Sequence, residues 1–375
     1  MTQTKTRAFA CPPKYYQGPG EMANLRKYTK DYGNHAFAVI TPHFYKSLSE
    51  ELTGIFNADG GTLCCGEFGG ETTMAELTRL TELAGKMPDC DVVIGIGGGK
   101  AMDAAKYVGI QLDAAIVTVP TVVSTDAPTS ALTATYTEAG EHAGSLYYKR
   151  NPDLVLVDSR IVAEAPVRLF VSGMGDALST YFEAKAHVDS GTKNRVGEGY
   201  QTTLAAMALS ELCYTTLMRE GRQAMADVAA RRCTEAVEDI IEVNTLLSGI
   251  GVESAGCAGA HSLNSGFSAM AACQPYTHGE IVAFGTLCEL VLEDWPEETI
   301  EAVLAFSTDV GLPVTLEEIG LSADDGASLR QVAEKAGTTK HIVAETVPTS
   351  VDILVDAMRR ADARGKAWKE ASQRR

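Results

Sequence analysis

From about residue 36 to about residue 160 the sequence alternates short β-branched runs with amphipathic stretches, and beyond about residue 165 the β-branched runs disappear. HAFAVI (35–40), CDVVIGI (90–96), AAIVTVP (114–120) and DLVLVD (153–158) are short, apolar and bounded by Gly, Pro or Asp, the pattern of buried strands. FYKSLSEELTGIF (44–56) and TMAELTRLTELAGKM (73–87) lie between them and carry apolar residues at helical spacing. Strand and helix in alternation predict a parallel sheet covered on both faces. Residues 199–220 and 226–250 keep helical periodicity over several turns with few prolines. The predicted architecture is therefore α/β plus all-α, with an α/β domain over residues 1–165 and a helical domain over residues 166–375, divided near Ala165-Pro166.

One strand of the α/β part runs straight into Gly97, Gly98, Gly99 and Lys100 and then into a helical pattern, DVVIGIGGGKAMDAAKYVG. Consecutive glycines let the backbone turn tightly and approach a ligand closely, and the new helix offers unpaired N–H groups to an anion. A pyrophosphate is the natural occupant. Two familiar fingerprints are not matched: Ala101 stands where a Walker loop needs Ser or Thr, and Lys100 or Met102 stands where G-x-G-x-x-G needs its last glycine. Lys100 is placed to neutralise part of the ligand charge, and Asp103 is a first-turn acid of the kind a helix dipole favours.

The next loop, TVPTVVSTDAPTSALTATYTEAG, gathers hydroxyls at 121, 124, 125, 129 and 130 around one carboxylate, Asp126. Ligands in open α/β sheets sit outside the C-terminal ends of the strands, which puts this loop beside the glycine turn. Among seven histidines, His261 and His278 stand in small-residue-rich helical sequence that leaves room around an imidazole. Their spacing matches neither HExxH nor a zinc finger, so a metal site needs a third member. Asp176 in SGMGDALSTYFEAKAHV is the candidate, although an Asp between Gly and a helical run also serves as an N-cap. One carboxylate and two histidines leave open positions on a divalent ion, as Lewis-acid chemistry requires.

Composition narrows the partners. Lys plus Arg number 32 against 49 Asp plus Glu, a net charge of −17, which argues against nucleic acid because phosphate contacts need clustered cations. No segment approaches the roughly 18 to 20 apolar residues of a membrane helix, and MTQTKTRAFACPPKYY lacks an apolar signal core. A cytoplasmic protein with no membrane partner is expected. Nine cysteines without a CxxC pair read as reduced thiols, with adjacent Cys64 and Cys65 open to oxidation.

Taken together, GGGKAMDAAK, PTVVSTDAPTSALTATYTEAG, RNPDLVLVDS, GMGDAL and the His261 to His278 segment ending HGEIVAFGTL resemble the iron-containing (group III) alcohol dehydrogenases, and most closely their glycerol dehydrogenase branch. KYYQGPG, FGGET and ADARG extend the likeness over nearly the whole chain. The resemblance implies an N-terminal Rossmann-like dinucleotide-binding domain, a C-terminal helical metal-binding domain, and an active site in the cleft between them. It implies that Asp176, His261 and His278 match the metal-binding positions, with zinc usual in the glycerol branch and iron in others. Gly99, Lys100 and Asp103 match the cofactor loop, Thr121, Ser124, Ser130, Leu132 and Tyr136 a second cofactor-contacting stretch, and Asp126 the carboxylate that contacts the polyol. The implied reaction is metal-dependent, NAD-linked oxidation of glycerol or a related vicinal diol to the hydroxyketone, carried out by a homo-oligomer. One departure concerns the cofactor. Similar enzymes often end the first strand on an acid that accepts from the adenine ribose hydroxyls, whereas this chain has Pro42 and His43, which leaves NADP open beside the favoured NAD.

Two other reactions suit the same fold. Reduction of 2-oxo acids or aldehydes is one, with Asp126 expected to repel a carboxylate. A lyase resembling dehydroquinate synthase is the other; its phosphorylated acid needs clustered Arg and Lys, and the stretches around the three ligands contain almost none.

Overall fold

The structure is a computed structural model and describes residues 5–140 and 142–374. Strands β1 (Tyr15–Gly18), β2 (His35–Ile40), β3 (Thr62–Glu67), β4 (Val92–Gly97) and β5 (Ala115–Pro120) are followed by an antiparallel hairpin, β6 (Leu132–Tyr136) and β7 (His142–Tyr147), and then by β8 (Leu154–Asp158). Outside the hairpin all pairings are parallel, in the order β1-β8-β5-β4-β2-β3. Helices α1 (Leu25–Thr29), α2 (Pro42–Ala58), α3 (Met74–Ala84) and α4 (Gly99–Gln111) connect the first five strands.

Period-two alternation explains why both faces are covered. Ala36, Ala38, Ile40, Ile94, Ile96 and Val117 face Leu48, Leu52 and Phe56 of α2, while Phe37, Val39 and Val93 face Leu77 and Leu80 of α3 and Ala101, Ala104, Ala105 and Val108 of α4. The chain leaves β2 for β3 on one side and returns past it to β4 on the other, so the crevice between the C-terminal ends of β2 and β4 is a topological switch point. Thr41 N–H donates to Ile96 O at 3.0 Å across that crevice.

All four strands expected from the sequence are present, with β4 beginning at Val92 rather than at Cys90. The two edge strands were not expected. Along β1 no residue is fully buried, and in β3 only Leu63 and Gly66 are, so neither carries the continuous apolar run that betrays a central strand. Neighbouring positions on β3 point to opposite faces, which separates Cys64 from Cys65; all nine cysteines are free thiols.

The helices after β8 are α5 (Ser159–Glu164), α6 (Val167–Ser190), α7 (Leu204–Ala229), α8 (Glu235–Glu242), α9 (Ser248–Ser254), α10 (Gly259–Phe267), α11 (His278–Leu292), α12 (Glu297–Val310), α13 (Gly326–Gly337) and α14 (Val351–Gln373). The helical reading of 226–250 needs correction, because α7 ends at Ala229 and α8 begins at Glu235. Asp227 makes the break: it accepts from Gln223 at 3.0 Å and Thr234 at 2.7 Å and pairs with Arg232, while Arg231 takes a φ of 54°. Ordinary polar residues build this turn, so periodicity alone does not reveal it. Among the described residues no helix is long and apolar enough to cross a membrane. The N-terminal arm leaves the sheet's surroundings: Gln201 N donates to Thr6 O at 3.0 Å, and Ala10 N donates to Ser254 Oγ at 2.9 Å.

Candidate active site

The glycine turn forms where β4 passes into α4. Gly95 and Gly97 are demanded by packing, since a Cβ on Gly95 would lie 2.7 Å from Ala105 Cβ and one on Gly97, at φ 155°, would lie 2.8 Å from Ala101 Cβ. Gly98 differs. It is the N-cap of α4, without a side-chain cap, and a Cβ there would meet only Val122 Cγ2 at 3.5 Å. The first amides of α4 therefore open onto space, which suits a pyrophosphate.

Three of the residues expected at the cofactor have partners within the protein. Lys100 Nζ lies 2.5 Å from Glu71 Oε2 and 4.4 Å from the centre of the Tyr136 ring, so its charge is matched within the protein. Buried Asp103 lies 2.6 Å from Lys106 Nζ and accepts from Ala134 N at 2.8 Å, tying α4 to β6. Ser130 accepts from the same Lys106 ammonium at 3.1 Å. Thr121 continues β5 by donating N–H to Gly97 O at 3.0 Å, and Ser124 O accepts from Ser172 Oγ at 3.1 Å. Leu132 opens β6 and Tyr136 closes it, on the hairpin that follows this loop.

Asp176, His261 and His278 come from three helices, α6, α10 and α11. Asp176 Oδ1 lies 3.4 Å from His261 Nε2 and 3.2 Å from His278 Nε2, and the three ligand atoms all fall within 4.8 Å of one another. Asp176 is not an N-cap; it sits ten residues inside a 24-residue helix, 1% exposed, and neither of its carboxylate oxygens has a hydrogen-bond partner. Burial opposes its ionisation, yet the two imidazoles outweigh burial and hold it well below the usual carboxylate range. A buried, unpartnered carboxylate between two imidazole nitrogens is a donor set suited to a divalent metal.

The helices bring these groups together at glycines. A Cβ on Gly279 would lie 1.7 Å from Ser172 O, and one on Gly175 would lie 2.3 Å from Gly279 O, so α6 and α11 touch backbone to backbone beside Asp176 and His278. Glu183, seven residues after Asp176, orients the other imidazole. It lies 2.6 Å from His261 Nδ1 and accepts from the amides of Ala258 at 2.7 Å and His261 at 2.9 Å. A carboxylate on Nδ1 fixes the tautomer that leaves Nε2 free for a metal. Sequence reading missed Glu183, although its helical spacing from Asp176 places it on the same face.

Asp126 stands on the loop after β5, and its carboxylate has no hydrogen-bond partner among the described residues. Burial and then the charge of Asp176 push it up to about 6, against the lowering effect of His261, His278 and Arg195. The loop is moored by Asn244, in a π-helical turn (243–247), which donates to Val123 O at 3.1 Å and Phe170 O at 3.0 Å.

Behind α10 lie two more acids that the sequence did not single out. Glu289 accepts from Ala260 N at 2.8 Å, and Glu345 has neither oxygen hydrogen-bonded. Burial, then Glu293 and then Glu183, raise Glu345 well above its ordinary 4.5. A carboxyl raised in the folded state contributes stability below its unfolded pKa and loses it as pH rises through the folded value. Glu345→Gln is therefore expected to raise the melting temperature more at pH 9 than at pH 5, and equal shifts at both pH values would refute this.

Comparison with known proteins agrees with the geometry. The iron-containing alcohol dehydrogenase profile matches residues 12–159. The glycerol dehydrogenase of Citrobacter freundii is 45% identical, over 95% of this chain and 97% of that one. The glycolaldehyde reductase of Halobacterium salinarum is 40% identical, over 96% and 98%. The crystal structure of a probable glycerol dehydrogenase from Sinorhizobium meliloti 1021 superposes with a TM-score of 0.90 at 41% identity, over 96% of this chain and 99% of that one. The chain belongs to the iron-containing alcohol dehydrogenase family, and membership implies an NAD cofactor and a divalent metal.

Proposed function

We propose that this protein oxidises glycerol, or a related vicinal diol, to the hydroxyketone with NAD as hydride acceptor. The active site is the cleft between the α/β domain (residues 1–165) and the helical domain (residues 166–375). The observation that carries the reading is the unpartnered Asp176 carboxylate between His261 and His278, with the unpaired Asp126 carboxylate nearby.

Asp176, His261 and His278 hold the metal, for which we favour zinc over iron, and Glu183 keeps the His261 tautomer competent. An ion in this site supplies Lewis-acid polarisation of a substrate oxygen. Gly97, Gly98 and Gly99 with the amides of α4 seat the pyrophosphate, and Thr121, Ser124, Leu132 and Tyr136 flank it. Lys100, Asp103 and Ser130 brace that cradle from within the protein. Asp126 accepts a hydrogen bond from the hydroxyl next to the reacting one and so selects which carbon reacts. Strand β2 ends at Ile40 and is followed by Thr41, Pro42 and His43, with no acid to hold the adenine ribose. Leu204 and Leu212, exposed two turns apart on α7, support a homo-oligomer.

The test is growth of absorbance at 340 nm with NAD and with NADP, over glycerol, 1,2-propanediol and 2-hydroxy acids. Glycerol with NAD is expected to give the highest kcat/KM; no growth with any polyol defeats the reading. The glycolaldehyde reductase relative makes aldehyde reduction the second reading, favoured if NADH consumption with glycolaldehyde far exceeds NADH formation with glycerol.

A further inference from the structure

The loop that carries Asp126 is held by helices of the second half of the chain. Val123 O stands 1.9 Å from where a Cβ on Gly173 would lie, and Ser124 O accepts from Ser172 Oγ at 3.1 Å. Gly173 comes about one helical turn before Asp176, and Ser172 O packs against Gly279, the neighbour of His278. The loop thus rests on the same turn of α6 that α11 touches beside the metal ligands.

Its fixings converge on Asn244. A π-helical turn interrupts the helical run from Glu235 to Ser254, a local departure that recurs at functional sites. From that turn Asn244 Nδ2 donates both to Val123 O at 3.1 Å and to Phe170 O at 3.0 Å, so one amide joins the loop to α6. The next residue adds a second fixing: the Thr129 hydroxyl lies 3.2 Å from Thr245 O and 3.1 Å from Asp126 O. Asp126 therefore stands between two anchored points, Ser124 and Thr129. Asn244 is fully buried, and its Oδ1 has no hydrogen-bond partner among the described residues. The two carbonyls fix which way the amide faces, since an oxygen turned toward them would be repelled. A buried acceptor left unpaired is costly, so this position keeps its amide for the donor that spans loop and helix.

We propose that Asn244 is a positioning residue for diol oxidation: by tying Val123 to Phe170 it fixes how far Asp126, which takes one hydroxyl, stands from Asp176, His261 and His278, which hold the ion for the reacting oxygen. This role rests on the reading of Asp126 as the partner of the polyol. Asn244 itself touches neither substrate nor metal. Vicinal oxygens span a narrow range of separations, so a loop displaced by about 1 Å gives up one contact or the other.

The experiment is a double-mutant cycle of Asn244→Leu and Asp126→Ala on the metal-loaded protein with glycerol and NAD, with amide hydrogen exchange of residues 121–130 followed on the same proteins without substrate. Asn244→Leu is expected to lower kcat/KM for glycerol about 10- to 100-fold, the scale of a small misplacement, with metal content and the NAD Kd unchanged. In the Asp126→Ala background the same change should lower it by no more than about threefold, because the group being positioned is already gone. Exchange over 121–130 should speed up while α6 keeps its protection. Asn244→Ser, which keeps one donor, should fall between Asn244→Leu and the wild type, and it carries the same cycle if Asn244→Leu does not fold. Equal losses in both Asp126 backgrounds, unchanged exchange, or loss of the metal along with activity overturn the proposal and leave the role of Asp126 standing. An Asp126→Ala protein as active on glycerol as the wild type overturns both, since the carboxylate then takes no part in holding the polyol.

Discussion

His278→Ala is expected to purify without its divalent metal and to lose at least about a hundredfold in kcat, because a metal contributes several kcal/mol of charge stabilisation. The fold should survive, for two reasons. His278 is the first residue of α11, but the helix start is held by its neighbours: Thr277 and Glu280 form a capping box, and Arg168 grips Glu280 with two bonds of 2.8 Å. The side chain is 37% exposed, so its truncation leaves a groove rather than a sealed cavity. Elemental analysis, circular dichroism and turnover with glycerol decide the matter. A variant with full metal content and full activity would sink the assignment.

Gly279→Ala should be more damaging than its size suggests. The new methyl would stand 1.7 Å from the Ser172 carbonyl, and no side-chain rotation relieves a clash with backbone. The helices α6 and α11 must separate, which we expect to cost about 2–4 kcal/mol in a denaturant titration. Separation also pulls His278 away from Asp176, so metal affinity should fall about 10- to 100-fold, the scale seen when a supporting shell is disturbed. Gly54→Ala on α2, where a Cβ would meet nothing within 4 Å, is the control and should be neutral or slightly stabilising. Equal behaviour of the two variants would show that close approach at Gly279 does not assemble the site.

Much of this was legible in the residues. The central strands declared themselves because a parallel strand buried on both faces must be apolar at every position, as in Val92–Gly97. The glycine turn did so because Gly97 adopts a backbone that side chains rarely tolerate. The edge strands and the break at Arg231 stayed hidden, since half-solvated strands and ordinary polar turns carry no compositional excess. Lys100 and Asp103 show what the residues withhold. Their place beside the glycine turn was plain, but Glu71 and Lys106, which claim their charges, lie on other segments or a different turn.

The sequence by itself determined an open parallel sheet with a phosphate-ready turn, a helical second half, and the two residue types, Asp and His, that a metal site can use. Only the tertiary structure decided that Asp176, His261 and His278 come together and that Glu183 sets the tautomer of one of them. Local patterning follows from which face of a strand or helix is buried, and each residue carries that information itself. Convergence of side chains from different helices depends on where those helices cross. Here the crossing is set by Gly175 and Gly279, residues whose contribution is the absence of a side chain and whose partners lie about a hundred residues away in the chain.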